Sequence, residues 1–258
     1  MSPATLTLTA LPDMPLVKPG DDVAALILAG LDAAKITLAN GDVIAIAQKI
    51  VSKAEGRLIK LDDVTPSAQA HEYAAITQKD PRFVEVVLSE SKEVLRARFN
   101  TLIVEHRNGY VCANAGVDRS NVGPHGEGHE EYLLCLPADP DGACQRLCER
   151  FCAATGAEVA VIINDSHGRA WRQGTVGVAI GAAGFPGLLD LRGHRDLFDY
   201  TLQVTQIGLA DELAAAASLL MGQADEGRPV IHIRGVPYPF REGNAQELIR
   251  PKEMDLFR

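Results

Sequence analysis

Several side chains that could bind a metal ion or an anion follow an apolar segment in the second half of the chain. Residues 159–163 are small or β-branched and apolar, a composition that predicts a buried strand. Asp165 and Ser166 come next, and their oxygen atoms suit a hard cation such as Mg²⁺ or Mn²⁺. Arg169 and Arg172 could hold a phosphate or a carboxylate in a two-pronged contact. By itself, this stretch is equally typical of a charged turn after a core strand.

Two other predicted strands also run into polar residues. The apolar segment 43–47 leads into the polar and basic stretch 48–57. Residues 110–113 form the second arm of a predicted hairpin. Residues 114–121, which follow that arm, contain two amides, an acid, a hydroxyl and a glycine. The chain therefore has three predicted strand ends that are followed by polar residues.

The composition excludes several classes of function. The chain has 258 residues, which is ample for a buried core, and its net charge of −9 provides no basic surface for non-specific nucleic-acid binding. No segment approaches the ~20 apolar residues that a membrane helix needs. The first eleven residues lack the basic and apolar regions of a signal peptide. We therefore expect a cytoplasmic protein that binds neither nucleic acid nor membranes.

The cysteines do not indicate disulfides or zinc. Cys144, Cys148 and Cys152 recur every fourth residue, so they share one face of a predicted helix. This spacing suits neither a disulfide nor a zinc site. We expect reduced thiols that are buried as small apolar groups.

A segment rich in Gly, His and Glu, residues 122–131, predicts a mobile loop. His125 and His129 could bind a metal ion, but two imidazoles in such a loop are usually solvated, and we expect that here.

Helices and strands do not alternate regularly, which favours a mixed α+β fold over a doubly wound one. The chain has neither the Walker pattern nor the GxGxxG spacing, so neither a P-loop nor a Rossmann fold is expected. No linker separates two domains, so residues 1–258 are expected to form a single unit. Five glycines within residues 174–187 predict positive φ angles or a close approach to a ligand or another strand. Helices are predicted over residues 67–76, 81–95 and 204–221, and Asp21 is expected to cap another helix.

The motifs, in their order along the chain, resemble one family, the coenzyme F420-0:L-glutamate ligases, also called F420-0:γ-glutamyl ligases. The resemblance spans nearly the whole chain. One matching stretch would be weak evidence for the family, whereas seven stretches in the same order are specific evidence. The matching stretches are residues 18–22 (KPGDD), 41–43 (GDV), 51–57 (VSKAEGR), 114–121 (NAGVDRSN), 165–172 (DSHGRAWR), 178–181 (VAIG) and 210–222.

The resemblance implies a GTP-dependent ligase that joins L-glutamate to the lactyl-phosphate carboxylate of F420-0 through an acyl phosphate, and then extends a γ-linked tail. It also implies Mg²⁺ or Mn²⁺, with K⁺ as a further cation, a two-lobed α+β fold and a homodimer. Some members of the family carry a nitroreductase-like domain after the ligase part. Because this chain stops near the end of the ligase part, at Arg258, that second activity is not expected.

The resemblance assigns roles to residues by matching position. Asp118, Asp165 and Lys53 match catalytic positions. Metal-binding positions correspond to Asp118, Asp165, Ser166 and Gln223. Positions that contact GTP correspond to Met14, Pro15, Leu16, Val17, Gln48, Lys49, Lys53, Asn121, Met221, Gly222, Gln223, Ala224, Asp225, Glu226, Gly227 and Arg228.

At a few positions this chain departs from the family pattern. Ser166 stands where the family usually has Thr, and it retains the oxygen ligand. Gln223 aligns with a position that can be a metal-binding acid, and its neutral amide is a weaker ligand, so we expect a second metal ion to bind less tightly here. Asn164 and His167 also depart from the commoner pattern. Trp171, the single tryptophan, could stack on a guanine or deazaflavin ring, or could simply pack against the protein.

Two other functions remain open at this point. A deazaflavin-binding module without ligase activity would explain the departures at Gln223, Asn164 and His167 as marks of a lost metal site. Alternatively, a ligase with the same GTP chemistry could act on another small phosphorylated acid.

Overall fold

The computed structural model describes residues 4–123, 130–237 and 241–255. His125 and His129, which the sequence predicts to be solvated, lie outside these ranges. The α-helices are α1 (Val23–Ala33), α2 (Gln48–Ala54), α3 (Ala68–Thr77), α4 (Pro81–Ser89), α5 (Pro140–Thr155) and α6 (Leu209–Met221). The strands are β1 (Thr7–Ala10), β2 (Val43–Ala47), β3 (Leu58–Lys60), β4 (Ser91–Arg98), β5 (Thr101–His106), β6 (Val111–Ala113), β7 (Tyr132–Leu134), β8 (Ala160–Arg169), β9 (Arg172–Ala183), β10 (Leu189–Asp190), β11 (Gln206–Ile207) and β12 (Val230–Arg234).

The largest sheet has five strands in the order β1-β12-β2-β8-β9. Within it β2 and β8 are parallel, whereas the other neighbouring strands are antiparallel. A three-stranded sheet has the order β4-β5-β6, and two smaller sheets pair β3 with β7 and β10 with β11. The fold is therefore mixed α+β, as the sequence predicted, and its main sheet is not the parallel sheet of a doubly wound fold.

Both faces of the five-stranded sheet are buried. Along β2, Val43 and Ala45 belong to one buried apolar cluster, and Ile44 and Ile46 belong to another. This alternation arises because successive side chains of a strand point to opposite faces. Helix α6 packs on the first face, and α1 and α5 contribute to the cluster on the second. Burial on both faces explains why the sequence shows continuous apolar segments here.

A third buried cluster lies between α3, α4 and the three-stranded sheet. It includes Phe83 and Val87 from α4 and Leu102 and Val104 from β5. The predicted hairpin is confirmed, because β5 and β6 pair in antiparallel fashion.

An ion pair connects this third cluster to the end of α2. Arg57 Nη2 donates to both carboxylate oxygens of Glu90 at 2.8 Å, and Arg57 Nε donates to Leu136 O at 3.0 Å. Arg107 Nη2 lies 3.0 Å from Glu90 Oε2. Burial alone would raise the pKa of Glu90, but His106 and the two guanidinium groups lower it below its ordinary value.

Strand β8 continues through residues where the sequence predicted a break. The break was expected after Ile163, yet β8 runs on to Arg169 and pairs with β9 along its length. Asp165 and Ser166 therefore lie inside a strand, toward its less buried end. Pairing with β9, the next strand of the same hairpin, stabilises this extension.

Among the glycines of residues 174–187, Gly174 and Gly184 have the positive φ angles that the sequence predicted. Gly177 and Gly181 permit close approach by helices, whereas the sequence suggested a ligand or another strand. A Cβ atom at Gly177 would lie 2.5 Å from Ala214 O on α6. One at Gly181 would lie 2.6 Å from Pro140 O on α5. Glycine at these positions therefore lets both helices pack directly on β9.

Two predicted helices are too long. Helix α4 ends at Ser89, because the chain turns and enters β4, so the prediction over residues 81–95 was wrong at its end. Helix α6 begins at Leu209, because residues 206–207 pair with β10, so the prediction over 204–221 was wrong at its start. The helix predicted over 67–76 is confirmed as α3, with Ser67 as its cap.

Two local predictions need correction. Asp22, not Asp21, caps α1, because Asp22 Oδ1 accepts a hydrogen bond from Ala25 N at 3.1 Å. The expectation that the three helix cysteines are buried is wrong for Cys152, which is exposed on α5. None of the thiols in the part of the chain that the structure describes forms a disulfide. In the same part, no helix is long and apolar enough to cross a membrane.

Candidate functional site

The parallel pairing of β2 and β8 brings two polar strand ends together. Ala47 at the end of β2 lies opposite Asn164 of β8 in this register. The next residues along the two strands, Gln48 and Asp165, therefore lie at the same edge of the sheet. Gln48 is the first residue of α2, so Lys49 follows in the first turn of that helix.

The third polar strand end is a turn with unusual backbone geometry. Asn114, Ala115 and Gly116 follow β6, and their φ angles are +51°, +52° and +65°. The left-handed region costs an alanine on the order of 1–2 kcal/mol. A Cβ atom at Gly116 would lie 2.7 Å from Leu136 Cδ1, so glycine is required there. This turn directs the chain to Asp118.

Residues of α2 hold the Asp118 carboxylate. Gln48 Nε2 donates to Asp118 Oδ2 at 2.6 Å, and the Lys49 ammonium forms an ion pair with the same oxygen. Ser52 Oγ donates to Gln48 Oε1 at 2.9 Å, which fixes the orientation of the Gln48 amide. The first turns of α2 thus position an acid that is 70 residues away in the sequence.

The charges of the site influence one another. Burial raises the pKa of the Asp118 carboxyl; the Lys49 ammonium opposes this rise, and the negative charge of Asp165 adds to it. Burial also lowers the pKa of Lys53, and the neighbouring Lys49 ammonium contributes to that decrease. The structure therefore brings together the two acids and the two lysines that the resemblance assigned to the site.

Asp165 and Ser166 lie on opposite faces of β8. Asp165 Oδ2 lies 3.0 Å from His167 Nε2. Ser166 Oγ donates to Gln223 Oε1 at 2.7 Å, beyond the end of α6. Successive side chains of a strand alternate in this way. The four residues matched to metal binding therefore form two groups, Asp118 with Asp165 and Ser166 with Gln223.

The segment 221–228 begins at the last residue of α6 and contacts the rest of the site. Asn164 Nδ2 on β8 donates to Met221 Sδ at 3.4 Å. Asn121 Nδ2 donates to Ala224 O at 2.9 Å. Residues 223–228 are exposed, so their backbone groups are accessible to a ligand.

The segment 14–17 contacts the site less directly. Val17 is buried, and Met14 packs against the cluster that includes Val17. Pro15 and Leu16 are exposed. Within the described ranges, none of these residues forms a hydrogen bond or ion pair with the acids or lysines of the site.

Residues 13–235 match a family model described as F420-0:Gamma-glutamyl ligase. The chain belongs to this family. It is 46% identical over 255 residues to the coenzyme F420:L-glutamate ligase of Methanothermobacter thermautotrophicus, covering 98% of this chain and 99% of that protein. The protein of the same name from Methanopyrus kandleri is 46% identical over 258 residues, covering 98% of each chain. The one from Methanocaldococcus jannaschii is 42% identical over 246 residues, covering 95% of this chain and 94% of that protein.

In this member of the γ-glutamyl ligase family, the donor atoms fit a hard divalent cation. Asp118 and Asp165 supply two carboxylates whose repulsion a cation would relieve. The described residues contain no group of three or more His, Cys, Asp or Glu side chains that could hold a metal ion. A cation held by Asp118 and Asp165 would therefore take its remaining ligands from water and phosphate oxygens, as is usual for Mg²⁺.

Two residues that the sequence noted only as departures from the family pattern contact the site. His167 pairs with Asp165. Asn164 is buried, and its Oδ1 has no hydrogen-bond partner among the described residues. Residues two apart share a face of a strand, so the sequence could have placed His167 beside Asp165 if the true length of β8 had been known.

Proposed function

We propose that this protein is a GTP-dependent ligase that joins L-glutamate to the lactyl-phosphate carboxylate of coenzyme F420-0 and then extends a γ-linked tail. The observation that carries the proposal is the cluster of Asp118, Asp165, Lys49 and Lys53 at the shared ends of β2 and β8. It occurs in a chain whose relatives are named coenzyme F420:L-glutamate ligases. The proposal includes the two-lobed form of the α+β fold, which the resemblance implies, and the single unit that the sequence predicts.

Each charged residue has a role in this proposal. Asp118 and Asp165 would hold Mg²⁺ or Mn²⁺, which neutralises phosphate charge when it is bound. Lys53 forms no hydrogen bond or ion pair with a described residue, so its ammonium is available to a phosphate of GTP. Gln48 and Lys49 keep the Asp118 carboxylate in place from α2.

The nucleotide would lie against exposed backbone and amide groups. Asn121 and the segment 221–228 already contact each other through Asn121 Nδ2 and Ala224 O. Gly222 and Gly227 both have positive φ angles, which gives this segment the tight curvature of a binding loop.

The reaction needs no protein nucleophile. A carboxylate oxygen of F420-0 attacks the γ-phosphorus of GTP, which releases GDP and forms an acyl phosphate. The amine of L-glutamate then attacks the acyl carbon, expels inorganic phosphate and loses a proton, which leaves an amide. Positioning of the bound substrates can supply roughly 7–11 kcal/mol of the barrier, so orientation and charge neutralisation are the tasks of the protein.

The test is incubation of the protein with GTP, Mn²⁺, L-glutamate and F420-0, followed by mass spectrometry. We expect F420-0 to gain one or more glutamyl increments while GTP is converted to GDP. Tight F420-0 binding without any product would instead identify a deazaflavin-binding module. GDP formation only with another phosphorylated acid would identify a ligase of different substrate class.

A further inference from the structure

The turn between β8 and β9 carries an aromatic side chain in an unfavourable position. Ala170 and Trp171 are the two residues that connect these strands. Trp171 has a φ angle of +65°, a conformation that turns of this length usually reserve for Gly or Asn. Its side chain is 89% exposed. A bulky residue that accepts backbone strain and gains little burial indicates a functional constraint.

Two arginines lie directly opposite each other at the base of this turn. Arg169 and Arg172 are cross-strand partners in the β8–β9 register. Like charges placed opposite each other destabilise a strand pair. Arg172 forms no hydrogen bond or ion pair with a described residue, and Arg169 Nη1 donates only to backbone, at 3.3 Å from Gly174 O. An anion bound between the two guanidinium groups would remove their repulsion.

The distance between this turn and Asp165 is comparable with the length of the F420-0 molecule. Arg169 is four residues beyond Asp165 on β8, and Trp171 is six residues beyond it. At ~3.3 Å per residue, the strand carries Trp171 up to ~20 Å from Asp165. In F420-0 the carboxylate carbon and the deazaflavin ring are joined by about ten bonds, which reach roughly 12 Å when extended, and the ring adds further length. The ring can therefore reach Trp171 when the carboxylate lies near Asp165. The phosphodiester is only a few bonds from the carboxylate, so the long side chains of Arg169 and Arg172 would reach it by extending back along β8.

We propose that Trp171, Arg169 and Arg172 form the subsite for the deazaflavin end of F420-0. The ring stacks on the indole of Trp171, and the phosphodiester is held by the two guanidinium groups. This inference rests on the proposed function, because F420-0 is the ligand that combines a planar ring, a phosphodiester and a terminal carboxylate along one chain. It gives a binding role to the β8–β9 turn, which has no role in holding the metal ion or the nucleotide.

The experiment measures dissociation constants of F420-0 for the full chain, with GTP affinity as a second measurement. Trp171→Ala should weaken F420-0 binding by about tenfold or more, the factor expected for loss of one stacked ring, and Trp171→Phe should retain most of the affinity. GTP affinity should stay unchanged in both variants. Arg172→Gln should weaken binding of F420-0 but not of the deazaflavin alcohol that lacks the phospholactyl group.

The turn between β4 and β5 supplies matched controls. Phe99 is an exposed aromatic residue there, and Arg98 is its exposed basic neighbour without a described hydrogen bond. Phe99→Ala and Arg98→Gln should leave F420-0 affinity at the wild-type value. Wild-type F420-0 affinity in Trp171→Ala would overturn the inference, as would equal weakening in Phe99→Ala. A lower molecular mass of Trp171→Ala in light scattering, together with weaker binding, would also overturn it by assigning Trp171 to a contact between copies of the chain.

The outcome is separable from that of the proposed function. Trp171-dependent binding of F420-0 without a glutamyl product would leave the subsite in place and contradict ligase activity. Normal glutamyl transfer by a Trp171→Ala protein with unchanged F420-0 affinity would contradict the subsite alone.

Discussion

At the scale of single residues, the Asp118 carboxylate shows how the site combines burial and charge. Burial opposes ionisation of this group, whereas the contact with the Lys49 ammonium favours it. Asp165 adds a second negative charge nearby. A site with two partly desolvated carboxylates binds a divalent cation more readily than one with solvated acids, because less water must be displaced.

We expect Asp165→Asn to reduce glutamyl transfer by about a hundredfold or more, since the amide lacks the charge that holds a cation. Steady-state rates as a function of Mn²⁺ concentration measure this effect, and thermal unfolding should show that the variant is folded. Asp32→Asn, an exposed acid on α1, is the matched control. Wild-type rates with wild-type Mn²⁺ dependence would show that Asp165 does not bind the metal ion.

Gln223 permits a second prediction at this scale. Its Oε1 atom accepts a hydrogen bond from Ser166 Oγ at 2.7 Å, so a carboxylate at this position would have the same neighbour. Gln223→Glu adds a negative charge to the group that Gln223 forms with Ser166, and we expect it to tighten Mn²⁺ binding at this second position by about tenfold when GTP is absent. The gain should be smaller with a non-hydrolysable GTP analogue, because phosphate oxygens then complete the ligand shell.

Calorimetric titration of Mn²⁺ with and without the analogue tests this prediction. Gln203→Glu adds the same charge on the β10–β11 hairpin and should leave Mn²⁺ affinity unchanged. If Gln223→Glu and the wild type bind Mn²⁺ equally under both conditions, Gln223 lies outside the metal shell.

At the scale of elements, β8 shows what a sequence can and cannot predict. Its apolar half, through Ile163, was predicted because continuous burial leaves a continuous apolar pattern. The polar half of β8 was not predicted, because those residues adopt strand geometry by pairing with β9 and not through an apolar pattern of their own. The family pattern identified Asp118, Asp165 and Gln48 as site residues. It could not predict the hydrogen bond from Gln48 to Asp118, because the two residues are 70 positions apart in the sequence. Ser166 points to the opposite face of β8 from Asp165, and strand alternation predicts this only when the length of β8 is known.

The Arg57–Glu90 pair stabilises the junction between α2 and α4, and we expect Arg57→Met to lower the free energy of unfolding by about 2–3 kcal/mol. The substitution leaves a buried carboxylate with fewer partners, although Arg107 and His106 remain near it. Arg82 forms exposed pairs with Asp80 and Asp62, so Arg82→Met should cost under about 1 kcal/mol. Denaturant titrations of both variants measure the difference, and equal costs would contradict a structural role for the buried pair.

At the scale of the whole molecule, Asp42 makes stability depend on pH. It precedes β2 and is buried, and it accepts hydrogen bonds from Arg234 Nε at 2.8 Å and Nη2 at 2.6 Å, at the end of β12. Burial alone would raise the pKa of Asp42, but Arg234 and His232 lower it below its ordinary value. A lowered pKa in the folded state gives stability that is present above the unfolded value of about 3.9 and is lost as pH falls through the folded value.

We therefore expect Asp42→Asn to be less stable than the wild type at neutral pH by about 2 kcal/mol or more, because the Arg234 guanidinium loses its negatively charged partner. The difference should shrink as the pH is lowered below about 5. Unfolding free energies of both proteins between neutral and acid pH test this. A difference that is constant over the whole range would show that the carboxylate charge does not contribute.

The hairpin between β10 and β11 leads to the prediction of a homodimer. Leu197, Phe198, Tyr200 and Val204 are 97%, 91%, 60% and 84% exposed. Arg195 Nη1 donates to Asp199 Oδ1 at 3.1 Å, so this charged pair is satisfied within the hairpin itself. Clustered apolar side chains beside internally paired charges are typical of a surface that contacts another protein.

We expect light scattering at micromolar concentration to give about twice the chain mass of 27.6 kDa, with this hairpin contacting a second copy. Phe198→Glu would place a charge in the apolar contact and should shift the protein toward the monomer, raising the dissociation constant by about a hundredfold or more. Phe99→Glu introduces the same charge on the β4–β5 turn and should leave the dimer intact. A monomeric wild type would refute the dimer, whereas a dimer that persists in Phe198→Glu would place its interface elsewhere on the molecule.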